Sequence, residues 1–364
     1  MTQSLFTFEP GFFERIWGGD RLRTVLGMPA PAGAPIGEAW LVSDHASFES
    51  PIANGEWRGQ TLHTLLEADP ARLLGDTARP TPHGRFPLLL KVLDAVETLS
   101  VQVHPDDEAA AALGEPDAGK TEMWHVLAAD PGSELICGLA PGVSPDAFFE
   151  AARAGNPEAL LRRFPAPAGT TAFVAAGTVH AIGAGILLAE IQQNSDLTYR
   201  IHDWNRADSQ GRPRELHLDK AARVTDPGAS HGGAARPLTY AGPDGPVTLL
   251  GACRYFASAL LPVSGSRRHS TGGHSFHVIL PCDGPMEISA GDETISLARC
   301  QAALIPAGAG AFCLTGQGNV LDYYVPRLRE DIVRPLQAAG HGSEAIIALG
   351  GGSGPEDLGS VLRS

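Results

Sequence analysis

Gln102, His104, Glu122 and His180 are the side chains of this chain whose types and spacing best suit chemistry. Two imidazoles, a carboxylate and an amide oxygen suit a borderline divalent ion such as zinc, with room left for water or substrate. Two of them lie in Thr-Leu-Ser-Val-Gln-Val-His, residues 98–104. Strict alternation there predicts a half-buried strand, with Leu99, Val101 and Val103 toward a core and Ser100, Gln102 and His104 on the other face. A further strand is expected over residues 120–128, where Lys120, Glu122 and Trp124 share a face, so that a cation and a carboxylate project together. Singly, each of these residues is more often a satisfied polar group than a ligand. Their combination is what points to a metal.

The elements that must position them are short and β-rich. Residues 1–60 hold short apolar runs broken by Gly and Pro, which fits an all-β framework better than alternating helix and strand. Residues 86–95 form a mostly apolar strand expected to be buried on both faces, and residues 171–174, 178–180 and 185–193 continue the pattern. On the last of these Glu190, Gln192 and Asn194 share a side. Helices are expected over 62–74 with a break at Pro70, from Pro105 to Leu113 with acids in the first turn, and over 144–164 with Pro145 at its start. Residues 225–245 are dense in Gly, Pro and Ala and read as a linker, and a second β-rich block follows over 247–326.

At 364 residues the chain has length for two domains with buried cores. A formal net charge of -14 argues against nucleic acid or an anionic membrane surface as partner, though not against a small anion held by a few local cations. The N-terminus carries no basic, then apolar, leader pattern, and the run from Ala181 to Ile191 is too short to span a bilayer and contains Glu190. The expectation is a soluble cytoplasmic protein. Five widely spaced cysteines, with no Cys-x-x-Cys, suit reduced thiols.

The two β-rich blocks share a weak internal repeat. Phe173-Val-Ala-Ala-Gly-Thr-Val-His180 aligns with Leu304-Ile-Pro-Ala-Gly-Ala-Gly-Ala311, and both resemble the Pro-x-Gly-x-x-His turn of cupin barrels. The first keeps the His and the second has Ala311 in its place, so one metal is expected, in the first block. His269, His274 and His277 lack the usual cupin His-x-His spacing and read as ordinary polar positions. The fold expected is mainly β: two cupin (double-stranded β-helix, jelly-roll) barrels with a small α-helical insertion. Its parts are a catalytic unit over 1–225, a linker over 226–246, a metal-free unit over 247–326, and a tail over 327–364 that is flexible or packs as an appendage.

Five segments in order carry a more specific resemblance: Phe86-Pro-Leu-Leu-Leu-Lys-Val-Leu-Asp94, Leu99-Ser-Val-Gln-Val-His-Pro-Asp-Asp107, Gly119-Lys-Thr-Glu-Met-Trp124, Gly177-Thr-Val-His-Ala181 and Glu190-Ile-Gln-Gln-Asn-Ser-Asp-Leu-Thr-Tyr-Arg200. Together they resemble the type I mannose-6-phosphate isomerases in their compact bacterial form, over roughly residues 6–326. The resemblance implies one zinc per chain, held by Gln102, His104, Glu122 and His180, and interconversion of mannose 6-phosphate and fructose 6-phosphate through a cis-enediol. Moving a carbonyl between C1 and C2 needs a base and something to hold negative charge on oxygen. Arg200 stays protonated and is suited to stabilising an enediolate or holding phosphate. Glu190 is the base the resemblance favours, with Lys120 the competing proton carrier if its pKa is lowered. Ser100 and Lys91 resemble phosphate contacts, although Lys91 in an apolar strand would equally snorkel to the surface. Gly119 stands where longer members carry His. The partner implied is a small sugar phosphate, and the chain is expected to be a monomer or homodimer. Two rival readings are a bicupin oxygenase and a non-catalytic sugar-phosphate-binding cupin; Gln102 as a fourth ligand, with Lys120 and Arg200 beside it, weighs against the first.

Overall fold

The computed structural model describes residues 3–207, 211–226, 228, 234–350 and 357–363. Residues 227 and 229–233 of the expected linker, and Gly351-Gly352 of the expected tail, lie outside the described residues. The architecture is mainly β, built of open sheets.

A six-stranded antiparallel sheet runs in the order Thr171–Val174, Glu122–Ala129, Ile186–Gln193, Leu88–Ala95, Ile36–Val42, Gly11–Gly19. A five-stranded sheet runs Leu161–Pro165, Glu134–Leu139, His180–Ile182, Val101–Val103, Tyr199–His202. Trp124, Val126, Leu188 and Leu93 from the first sheet and Leu135, Cys137 and Ile182 from the second form one core, so the two sheets face each other. The six-stranded sheet is covered on its outer face as well. Leu90, Val92, Met123, Leu187 and Ile191 pack with Phe256, Phe276, Val278 and Leu280 of the C-terminal half. This double coverage explains why Ile36–Val42, Leu88–Ala95 and Ile186–Gln193 are buried at every position. The rings of Phe86 and Phe276, 4.5 Å apart, join the two halves.

Nine strands make the C-terminal sheet. Its main path is Phe6–Thr7, Ala303–Ile305, His277–Pro281, Ala311–Tyr324, Ala257–Ser270, Gly245–Ala252, Leu238–Gly242, with the hairpin Met286–Ala290/Glu293–Leu297 attached to Ala311–Tyr324. The chain's beginning therefore pairs with its far end, Phe6 opposite Leu304.

Several expected elements differ in extent. The 98–104 strand forms only over Val101–Val103, with Val101 and Val103 in a core as expected. Val101 and Val103 pack outward against Phe148, Phe149 and Ala152 of helix Pro145–Arg153, while the polar face looks into the space between the sheets. The expected helix over 62–74 forms with its break at Pro70, as Leu62–Ala68 and Pro70–Leu74, where Asp69 leaves helical geometry and its carboxylate accepts from the Arg72 N–H. The 144–164 expectation holds as helix only to Arg153. Ser144 caps its start, a contact worth about 1 kcal/mol, and Gly155 at φ +82° with Pro157 ends the helical run before strand Leu161–Pro165. Within the expected linker, Leu238–Gly242 is a strand. Residues of the tail pack: Ile332, Val333, Leu336, Ile346, Leu349 and Leu358 belong to the C-terminal core.

Candidate active site

Between the five- and six-stranded sheets, two rows of side chains meet. Cross-strand partners in an antiparallel sheet share a face, so register alone assigns them. In the six-stranded sheet Glu122 opposes Gln192, and Trp124, Glu190, Lys91 and Trp40 stand abreast on four successive strands. In the five-stranded sheet His180 opposes Gln102, which opposes Arg200 on its other side.

The four residues singled out for metal binding converge where these rows meet. His104 Nε2 lies 3.5 Å from Glu122 Oε2, His180 Nε2 lies 3.3 Å from Glu122 Oε1, and the Gln102 amide end lies 3.3 Å from His180 Nε2. Metal bonds of roughly 2.0–2.2 Å at tetrahedral angles separate neighbouring donor atoms by about 3.4 Å. The spacing is thus that of ligands around an ion rather than of hydrogen-bonded partners. Both ring nitrogens of His104 and both carboxylate oxygens of Glu122 are buried without a hydrogen bond, a cost of about 1–3 kcal/mol per group that a bound cation would offset. His180 Nδ1 donates to the Thr178 carbonyl at 2.8 Å, which leaves its Nε2 lone pair facing the cluster. Gln102 presents its amide nitrogen to His180; a half-turn of the amide presents the oxygen instead, the atom a cation would use. The residues present fit a zinc-class ion.

Charge is concentrated around this cluster. Lys120 Nζ lies 3.1 Å from Glu122 Oε2. Burial opposes the ionisation of Glu122, but the Lys120 ammonium and then His104 outweigh it and hold the carboxyl well below its usual range. Burial pushes His104 down to about 3, with Lys120 adding to the effect, so the ring is uncharged and one of its nitrogens carries a free lone pair. Burial lowers His180 as well. Lys120 itself is raised: Glu122 and Glu190 overcome its desolvation. Glu190, buried and 3.8 Å from Lys91 Nζ, accepts from Trp124 Nε1 at 2.9 Å. Burial first, then the Glu122 charge, push it up to about 7.

Lys91 does not snorkel. Only 3% exposed, it lies 3.8–3.9 Å from Glu190, Glu38 and Asp196 and 4.6 Å above the Trp40 ring. Ser100 is buried two residues before Gln102. Arg200 shares the face of Gln102, but its Nη1 donates to the Glu215 carbonyl at 2.9 Å, and burial followed by Arg214 lowers its pKa.

Sequence reasoning passed over Glu38. Its carboxylate takes a two-pronged contact from Arg15, at 2.8 and 3.2 Å, and the Trp40 Nε1 donor at 2.7 Å. Burial opposes its ionisation, yet Lys91 and Arg15 bring it down to about 2. The available signal was a lone carboxylate in the otherwise apolar Ile-Gly-Glu-Ala-Trp-Leu-Val run, matching the lone Lys91 in the next strand of the sheet.

This arrangement is an open sheet sandwich around a buried set of nitrogen and oxygen side chains flanked by titratable groups, which could hold a metal ion and move protons. The family profile described as phosphomannose isomerase type I, catalytic domain, matches residues 5–123. The mannose-6-phosphate isomerase ManA of Bacillus subtilis is 36% identical over 330 residues, covering 88% of this chain and 98% of that protein. A crystal structure of the mannose 6-phosphate isomerase from Bacillus subtilis superposes with a TM-score of 0.80 at 32% identity, over 88% of this chain and 99% of the other. A zinc-bound mannose 6-phosphate isomerase structure shares the fold with a TM-score of 0.71 at 17% identity, over 89% of this chain and 100% of the other. The chain belongs to the type I mannose-6-phosphate isomerases.

Proposed function

We propose that the chain interconverts mannose 6-phosphate and fructose 6-phosphate through a cis-enediol, with one catalytic zinc at Gln102, His104, Glu122 and His180. The observation that carries this reading is the buried Glu122–His104–His180 cluster, whose atoms are spaced as ligands and in which the His104 ring nitrogens and Glu122 carboxylate oxygens lack hydrogen bonds. A zinc ion there supplies Lewis acidity toward the sugar oxygens.

The remaining work falls to the chain's own side chains. Glu190, with a pKa near 7, is matched to taking a proton from carbon beside a carbonyl and returning it to the neighbouring carbon. Lys120, kept as an ammonium by Glu122 and Glu190, suits proton donation to a substrate oxygen. A dication at Glu122 opposes that effect and brings the amine closer to exchange. Lys91 holds Glu190 in place and, with Ser100, borders the space for the phosphate end. Arg200 is the cation on the facing sheet, available to an enediolate or phosphate once its guanidinium leaves the Glu215 carbonyl.

The corresponding fold reading is a pair of cupin barrels over 1–225 and 247–326, joined across 226–246, with a tail over 327–364 whose Ile332, Val333, Leu336, Ile346, Leu349 and Leu358 pack on the second. It is supported by the common strand order of the two large sheets. The chain acts on a small charged sugar in the cytoplasm as a monomer or homodimer. A coupled assay with mannose 6-phosphate, run before chelation, after it and after zinc restoration, tests the proposal. Turnover should vanish with the metal and return with zinc; no turnover in any metal state would sink it.

A further inference from the structure

The two large sheets repeat one another strand by strand. Thr171–Val174, Glu122–Ala129, Ile186–Gln193, Leu88–Ala95, Ile36–Val42 and Gly11–Gly19 appear in the same order as Ala303–Ile305, His277–Pro281, Ala311–Tyr324, Ala257–Ser270, Gly245–Ala252 and Leu238–Gly242. Register makes the equivalence exact to the residue. Glu122 opposes Val174 and Gln192, while His277 opposes Ile305 and Tyr324. Val174 and Ile305 are already equivalent in the sequence repeat, so His277 occupies the place of Glu122. By the same register Asp322 occupies the place of Glu190, since Glu190 opposes Trp124 and Asp322 opposes Ile279.

Around those two positions the second sheet assembles ligand-type side chains of its own. His269, from the far end of the Ala257–Ser270 strand, places Nε2 2.8 Å from Asp322 Oδ2, and His277 places Nδ1 2.8 Å from Asp322 Oδ1. His277 and Asp322 are buried and His269 is half-buried. One ligand atom from each of the three residues lies within 4.8 Å of the others. The cluster opens on a cavity of about 350 Å³, also lined by Tyr240, Tyr324 and Thr271. His274 lines the cavity too, but its ring pairs with Asp76 at 3.0 Å and stands apart from the cluster.

We propose that His269, His277 and Asp322 form a second binding site for a first-row divalent cation such as zinc, with its open coordination position facing this cavity. Two imidazoles and one carboxylate are a ligand set such ions accept, and an accessible space beside them leaves room for water or a small ligand. The departure from the single-ion expectation has a simple origin. Ala311 replaces the turn histidine, as the sequence indicates, but the second sheet takes its ligands from three other strand positions. Binding requires the two imidazoles to exchange hydrogen bonds to Asp322 for bonds to the ion, so this site is weaker than the first, whose ligand atoms make no such bonds.

Metal content decides the matter. The purified full-length chain is stripped with chelator, reloaded with zinc or cobalt(II), desalted and analysed for bound metal, with the visible spectrum of the cobalt form recorded. The wild type should hold a second equivalent that chelator removes before the first. His269→Gln should lose that equivalent. His104→Ala combined with Glu122→Ala should keep it, with a cobalt spectrum of its own, whether or not His269→Gln folds normally. A wild type that takes up a single equivalent, or a His104→Ala/Glu122→Ala chain that takes up none, would overturn the proposal.

Discussion

The Glu122 cluster and the His269–His277–Asp322 cluster lie on matching sheets, His277 in the register place of Glu122, but differ in how their charges are satisfied. In the first, Glu122 stands 3.3–3.5 Å from two imidazoles and makes no hydrogen bond to either. In the second, Asp322 accepts from two imidazoles at 2.8 Å each. Burial opposes the ionisation of Asp322, but His277 and His269 outweigh it and keep the carboxyl far below its ordinary range. The surroundings differ in the same sense. Opposite Glu190 stands Lys91, whereas opposite Asp322 stands Ala259. The first sheet thus holds a surplus of buried, imperfectly paired charge that a cation and a substrate can complete. The second is satisfied at rest.

Removing Glu122 should break the comparison most completely. Glu122→Ala takes away the carboxylate shared by both imidazoles, and should lose the catalytic metal together with at least about 10³-fold in kcat/KM, several kcal/mol of transition-state stabilisation. Metal analysis and the coupled assay check this. Retained turnover would mean the cluster is structural.

Lys91→Met should give an intermediate effect that is legible in a pH profile. A base works only when deprotonated, so activity should rise with pH through the pKa of Glu190, about 7 without metal and lower once a cation offsets the Glu122 charge. Lys91 lowers that pKa, so its removal should shift the acidic limb upward. Breaking a buried ion pair by removing one partner also costs about 3–5 kcal/mol, visible as a lower thermal midpoint. An unshifted limb would assign the proton transfer to another group.

Asp322→Asn should have the smallest effect. It leaves one amide oxygen to accept from two imidazoles, which should cost about 1–3 kcal/mol in denaturant unfolding. A loss as large as that for Lys91→Met would mean the second cluster is not the better-satisfied one.

How legible each site was follows from the kind of signal it leaves. Gln102, His104, Glu122 and His180 could be gathered from ordered local motifs, because each ligand sits in a short segment with its own pattern. Lys91 and Glu38 could not be paired, since each is a lone charge in an apolar strand and their encounter depends on strands Ile36–Val42 and Leu88–Ala95 being neighbours. His269, His277 and Asp322 are scattered over 54 positions with no ligand-type spacing, so they read as ordinary polar residues until three strands bring them together.

By itself, the sequence determined the β-rich character, the internal repeat and the candidate set of Gln102, His104, Glu122 and His180, because alternation and turn chemistry are local properties of the chain. Tertiary structure alone decided that a second sheet covers the polar face of Val101–Val103, where Lys91 ends, and that the second large sheet builds a His/Asp cluster at the place of Glu122 and Glu190. Those outcomes depend on which sheets cover which faces and on cross-strand register, and residues far apart along the chain set both.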